Sequence, residues 1–207
     1  MKETNHFIIN YNDKLDYIEM LSNKLENKLD PILSFFEAKA INKKIIIDLI
    51  SKKEDFDIIF YDIHKFKPDL NSMGFYHNGK IIYLSFAELK KTNHKNDSFE
   101  SYINVLIHEC VHFIHGYITN DEMSLRCFNE GIALYFGRQY NDINYNKLNC
   151  SLDELVTQKN VDYYNYFIIM DYLIKNKDKK YILKLLKNKS FAIKELEYIY
   201  ADILKQF

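Results

Sequence analysis

The sequence predicts an α+β fold, with a lobe of mixed helix and β-sheet first and a helical lobe after it. Two observations lead there. Short runs rich in β-branched and aromatic residues stand at residues 44–86, and from residue 98 onward apolar side chains recur at helical spacing. No repeat, no low-complexity tract and no Pro/Gly/Ser linker interrupts the 207 residues, so 1–207 reads as a single domain. The expected lobes are 1–116 and 117–207.

Leu15, Ile18, Leu21, Leu25 and Leu29 follow helical spacing and predict a helix over about 14–39, with Pro31 placed to kink or split it. Residues 44–50 (KIIIDLI) and 57–61 (DIIFY) are of strand type. MGFYH-NG-KIIYLSF follows, two strand-like runs joined by Asn78-Gly79. A two-residue hairpin favours that pair because both central positions need positive φ. Asp97 or Ser98 is placed to cap a helix running to about His115. Thr119, with Glu122 three residues on, resembles a capping box that opens a second helix reaching about Tyr140. Beyond Ser151 the helical stretches are 152–156, 163–174, 180–186 and 192–204.

Composition narrows the function classes. A formal net charge of −1 gives no global attraction to nucleic acid or to anionic lipid. Arg126 and Arg138 are the two arginines, too few for an arginine-clustered phosphate site. Cys110, Cys127 and Cys150 are an odd number with no partner spacing and read as free thiols in a reducing compartment. The N-terminus lacks the apolar core of a signal peptide, and no window reaches the roughly 18 apolar residues of a membrane span. The expected location is cytoplasmic, with neither nucleic acid nor membrane as partner.

The join between the lobes carries the chemistry. His108-Glu109-Cys110-Val111-His112 is an H-E-x-x-H. On a helix, positions i and i+4 lie about 40° apart on one face, so two imidazoles can meet one zinc ion. Glu109 sits beside the metal and can act as general base toward water. Ile103, Leu106, Ile107, Cys110, Val111 and Ile114 form one apolar stripe, and His108 and His112 point roughly opposite its centre. Two core histidines would lie within the stripe. His115, near the helix end, reads as solvated, and Cys110 as core.

A catalytic zinc usually takes a third protein ligand and keeps a position for water. The extended pattern H-E-x-x-H-x-x-G-x-x-H is not met, because His115 occupies its glycine position and Ile118 its third histidine position. A glutamate on the next helix is a candidate for the place. Asn129-Glu130-Gly131-Ile132-Ala133 supplies Glu130, eighteen positions beyond His112 and on a face with Ala133 and Gly137. Asn129 is a candidate to steady a ligand from behind.

H-E-x-x-H followed by N-E-G-x-A resembles the gluzincin zinc metallopeptidases, the peptidase MA-like proteins and, more distantly, the membrane alanyl aminopeptidases. The resemblance is strongest over 103–136 and continues more weakly to about Leu186. It implies a zincin-like fold with the metal cleft between the lobes, one Zn²⁺ per chain held by His108, His112 and Glu130, and a peptide or protein substrate. It also implies a tyrosine that donates to the tetrahedral intermediate. An ungapped match to Leu173 puts it at Tyr163, with Tyr164 and Tyr166 close enough to compete. The strand at 80–86 resembles the edge strand along which relatives lay a peptide, which makes Ile82, Tyr83, Leu84 and Ser85 substrate-binding candidates. The aminopeptidases carry an amine-binding glutamate before that strand. Here stands Ser72-Met73-Gly74-Phe75 without it, so the expected activity is that of an endopeptidase. A regulatory protease of the repressor-cleaving type and a non-catalytic module with a structural zinc are the competing expectations.

Overall fold

Residues 1–38, 41–120, 122, 124–140, 143–158 and 161–205 are described by the structure, a computed structural model, and they form an α+β protein with a five-stranded mixed sheet. The chain divides into two compact units, one of residues 1–34 and 39–113, the other of 35–38 and 114–207.

The first unit holds the sheet. Its strands are β1 (Lys2–Glu3), β2 (Phe7–Tyr11), β3 (Ile45–Ile50), β4 (Gly74–His77) and β5 (Lys80–Leu84), in spatial order β1-β2-β3-β5-β4. β2, β3 and β5 run parallel, and the two outer pairs are antiparallel. Parallel neighbours need a crossover. Helix α1 (Ile18–Phe35) follows β2, and α2 (Lys53–His64) follows β3. α1 buries Leu21, Leu25, Leu29 and Ile32 along one stripe. Pro31 lies inside α1 without ending it, and the expected end at Lys39 falls outside the described residues. Asn78 (φ 46°) and Gly79 (φ 79°) both adopt the left-handed region, so the Asn-Gly hairpin between β4 and β5 forms as expected.

Residues 57–61 are helical, not a strand. They lie inside α2, whose one buried residue is Phe56. A short apolar run has no decisive period. Here the Glu88 carboxylate accepts from the Lys53 backbone N–H at 3.1 Å, capping α2 from outside its own segment, and Glu54 and Asp55 favour its first turn. β1 and β2, absent from the sequence-based reading, complete the sheet on the other side of β3.

The sheet order also removes the role expected of Ile82, Tyr83, Leu84 and Ser85. β5 is not an edge strand, since β3 pairs with one side of it and β4 with the other. The Leu84 N–H donates to Met73 and the Ser85 N–H to Ile50. Ser85 then caps the short helix α3 (Phe86–Leu89). Their backbone groups are committed to the sheet, and Tyr83 is buried with its hydroxyl donated to the Tyr102 carbonyl at 3.0 Å. Main-chain pairing of a substrate with these residues is excluded.

Helix α4 (Phe99–Thr119) runs through the boundary of the two units and is four residues longer than expected. In the first unit Glu100 on α4 lies 2.8 Å from Lys24 and 2.7 Å from Lys28 on α1. Hydrogen bonds from Lys24, then Lys28, outweigh partial burial and bring the Glu100 carboxyl down to about 2.

The second unit contains α5 (Arg126–Phe136), α6 (Leu152–Thr157), α7 (Tyr163–Asn176), α8 (Lys179–Lys187) and α9 (Lys189–Leu204). Thr119 does not open a helix. Its hydroxyl donates back to the His115 carbonyl at 2.8 Å, the usual local competition of threonine with the backbone. α5 begins at Arg126 after Leu125. Every residue of α7 from Asn165 to Leu173 is buried, and the approach of α5 to α7 depends on Gly131. A Cβ there would stand 2.6 Å from the Tyr166 carbonyl oxygen and 3.0 Å from the Met170 Cβ. Ser151 and Glu154 form a reciprocal capping box at the start of α6.

Candidate metal centre

α4 starts where Ser98 caps it: its hydroxyl accepts the Ser101 N–H at 3.0 Å, and its carbonyl accepts that of Tyr102. The stripe from Ile103 to Ile114 is buried throughout. His108 and His112 lie off its centre, one turn apart. His108 is itself buried and His112 half-buried. Their Nε2 atoms stand 3.0 Å apart with the rings at 80° to one another. Two nitrogens on one tetrahedral zinc lie about 3.3 Å apart, from bond lengths of about 2.05 Å. The imidazoles therefore already stand close to the spacing of a shared ligand pair.

Glu130, on the second turn of α5, supplies the carboxylate. One ligand atom from each of His108, His112 and Glu130 lies within 4.8 Å of the others, a group that could hold a metal ion. The donors fit: two imidazoles and a carboxylate suit zinc among several divalent transition metals. Glu109, next to His108, is half-buried. Burial first, and then the charge of Glu109, push the Tyr83 phenol well above its ordinary range.

On α5 the neighbour of the ligand carboxylate is Arg126, one turn earlier. Its Nε lies 3.6 Å from Glu130 Oε1. Its Nη2 donates to the Tyr163 hydroxyl oxygen at 3.1 Å, and its guanidinium lies 5.7 Å from the centre of the Tyr163 ring. Tyr163 thus begins α7 as an exposed side chain tied to Arg126. Tyr164 turns elsewhere, its hydroxyl accepting from the Asn144 N–H at 2.8 Å. Tyr166 is buried with its ring edge against Tyr163, and desolvation raises its phenol. Arg126 escaped the sequence-based reading, although its i,i+4 spacing before Glu130 was a usable signal.

The remaining candidates lie as follows in the fold. Asn129 is buried, but its Nδ2 donates to the Ser124 carbonyl at 3.2 Å, and its Oδ1 is buried without a hydrogen-bond partner. The hydrogen bond it makes steadies the entry to α5. His115 is buried, not solvated. It stacks on Phe36 and sets Nε2 2.9 Å from the Leu186 carbonyl, satisfying an end carbonyl of α8. Cys110, Cys127 and Cys150 are buried free thiols. Desolvation pushes Cys127 up to about 12 and Cys150 to about 11, so neither is a ready nucleophile.

The fold and the His/His/Glu group define an α+β protein with a candidate metal centre on helices α4 and α5. Comparison with family models, with curated proteins and with solved structures gives no match. Among the described residues, no helix is long and apolar enough to cross a membrane.

Proposed function

We propose that this chain is a zinc metallopeptidase of the gluzincin kind, zincin-like in fold, with one zinc per chain and a peptide or protein as substrate. One observation carries the reading: the ligand atoms of His108, His112 and Glu130 gather within 4.8 Å, and a glutamate directly follows the first histidine. Bound there, zinc would polarise a carbonyl oxygen and acidify a water molecule. The Glu109 carboxylate would take a proton from the water attacking the scissile carbonyl carbon. It would pass that proton to the departing nitrogen as the C–N bond breaks, leaving a carboxylic acid and an amine. Tyr163 would donate its hydroxyl proton to the oxyanion, and the charged hydrogen bond from Arg126 to its oxygen would make it a better donor.

A peptide that extends the sheet would add to β4 rather than β5. The Tyr76 ring of β4 packs edge-on against Phe113, the residue after His112, which sets that strand beside the histidine helix. The acid that could have anchored a substrate amine, Glu88, is engaged with Lys53 and Lys91, in keeping with cleavage of internal bonds. The test is a peptide-library digest by the wild-type protein and by Glu109→Gln, with and without a chelator. Cleavage that disappears in both the chelated and the variant samples supports the reading. Zinc uptake without cleavage of any peptide would favour an interaction module with a structural metal.

A further inference from the structure

The position of Arg126 is costly by the rules of its own helix. It occupies the first turn of α5, which contains no acidic residue, and a cation there opposes the helix dipole. Arginine is also rare in a chain whose other cations are lysines, with Arg138 the single further case. A lysine would have served for an ordinary i,i+4 surface pair. A planar guanidinium addresses two acceptors from a rigid frame, and Arg126 faces two, with Nε in an ion pair with Glu130 Oε1 at 3.6 Å and Nη2 donating to the Tyr163 hydroxyl at 3.1 Å. A residue that breaks a local preference and whose partners include a candidate ligand carboxylate points to a role at a site.

We infer that Arg126 is a positioning residue for the metal ligand Glu130. Its ion pair with Oε1 would restrict the rotation of the carboxylate and so its orientation toward a bound metal, while the Tyr163 hydroxyl and ring fix the guanidinium from the other side. The inference rests on the zinc reading above, and it assigns an outer support to the carboxylate rather than to the imidazoles. Charge and geometry predict opposite signs. As a bare charge, the guanidinium repels a dication, so its removal would tighten metal binding. As a brace, it orders the carboxylate, so its removal would loosen binding by about 10–100-fold, the usual effect of losing an outer-shell partner.

The experiment measures Zn²⁺ affinity by chelator competition, and the visible absorption of Co²⁺ at saturation, for the wild type, Arg126→Ala and His108→Ala. The expected result is a 10–100-fold weaker Zn²⁺ affinity in Arg126→Ala, with Co²⁺ bands changed in position and shape. A loss of folded protein alone would scale those bands without moving them. Wild-type or tighter affinity with unchanged Co²⁺ bands in Arg126→Ala, while His108→Ala has lost the metal, overturns the inference and leaves the zinc reading intact. Full metal binding by His108→Ala would instead overturn the zinc reading itself.

Discussion

Around the candidate centre, each side chain is placed by what it can donate or accept. Glu109, half-buried beside His108, is the proposed base, and the test of that role is chemical. Glu109→Gln keeps size and hydrogen bonding but cannot take up a proton, so zinc content and melting temperature should hold while hydrolysis disappears. Wild-type turnover in this variant would remove Glu109 from the reaction. The tyrosines separate in the same way. The Tyr163 hydroxyl lies on Arg126, and the Tyr164 hydroxyl holds the Asn144 backbone. Tyr163→Phe should lower turnover by roughly a hundredfold to a thousandfold, as loss of an oxyanion donor does. Tyr164→Phe should leave turnover nearly intact and cost about 1 kcal/mol of stability, the net worth of one hydrogen bond. A large loss of turnover in Tyr166→Phe with none in Tyr163→Phe would shift the donor by one helical turn.

At the scale of elements, the packing of α5 on α7 and the tie between α1 and α4 make separate predictions. Gly131 lies next to Glu130, and a methyl group there would meet the Tyr166 carbonyl at 2.6 Å. Gly131→Ala should therefore cost about 1–3 kcal/mol through overpacking, read as a lower denaturation midpoint. An unchanged midpoint would contradict the close approach. Glu100 carries a pH dependence. Its folded-state value is about 2 against an ordinary 4.5, so its contribution is present above about pH 4.5 and is lost as pH falls toward 2. Its side chain is 48% exposed, which keeps the effect small. Glu100→Gln should flatten that part of the acid limb of a stability–pH curve, and an identical limb in both proteins would remove Glu100 from the account. The elements read correctly from sequence were those with a strong local signal: the Asn78-Gly79 turn, the 3.6-residue stripe of α4, and the helical stretch that became α6. Residues 57–61 misled because their cap, Glu88, comes from a distant segment. The edge role of 80–86 misled because strand order is not written in local pattern: β3 and β4 were both legible as strands, but nothing local shows that they flank β5 on its two sides.

For the whole molecule, the His/Glu motif was legible because helical spacing converts i and i+4 into a shared face set off the buried apolar stripe. The surroundings of the site were less legible. Asn129 and His115 are engaged by backbone carbonyls at Ser124 and Leu186, partners set by tertiary packing that no spacing rule reveals. If the chain cleaves internal bonds, acetylating the N-terminus of a good peptide substrate should change its rate little, and strict dependence on a free amine would require an acidic anchor other than Glu88. The central claim is that His108, His112 and Glu130 together hold one zinc. Its most direct test is zinc content after metal-free purification and stoichiometric reloading, for the wild type and Glu130→Ala side by side. The account predicts about one zinc per wild-type chain and a large loss in Glu130→Ala. Full stoichiometry and unchanged affinity in Glu130→Ala would contradict it.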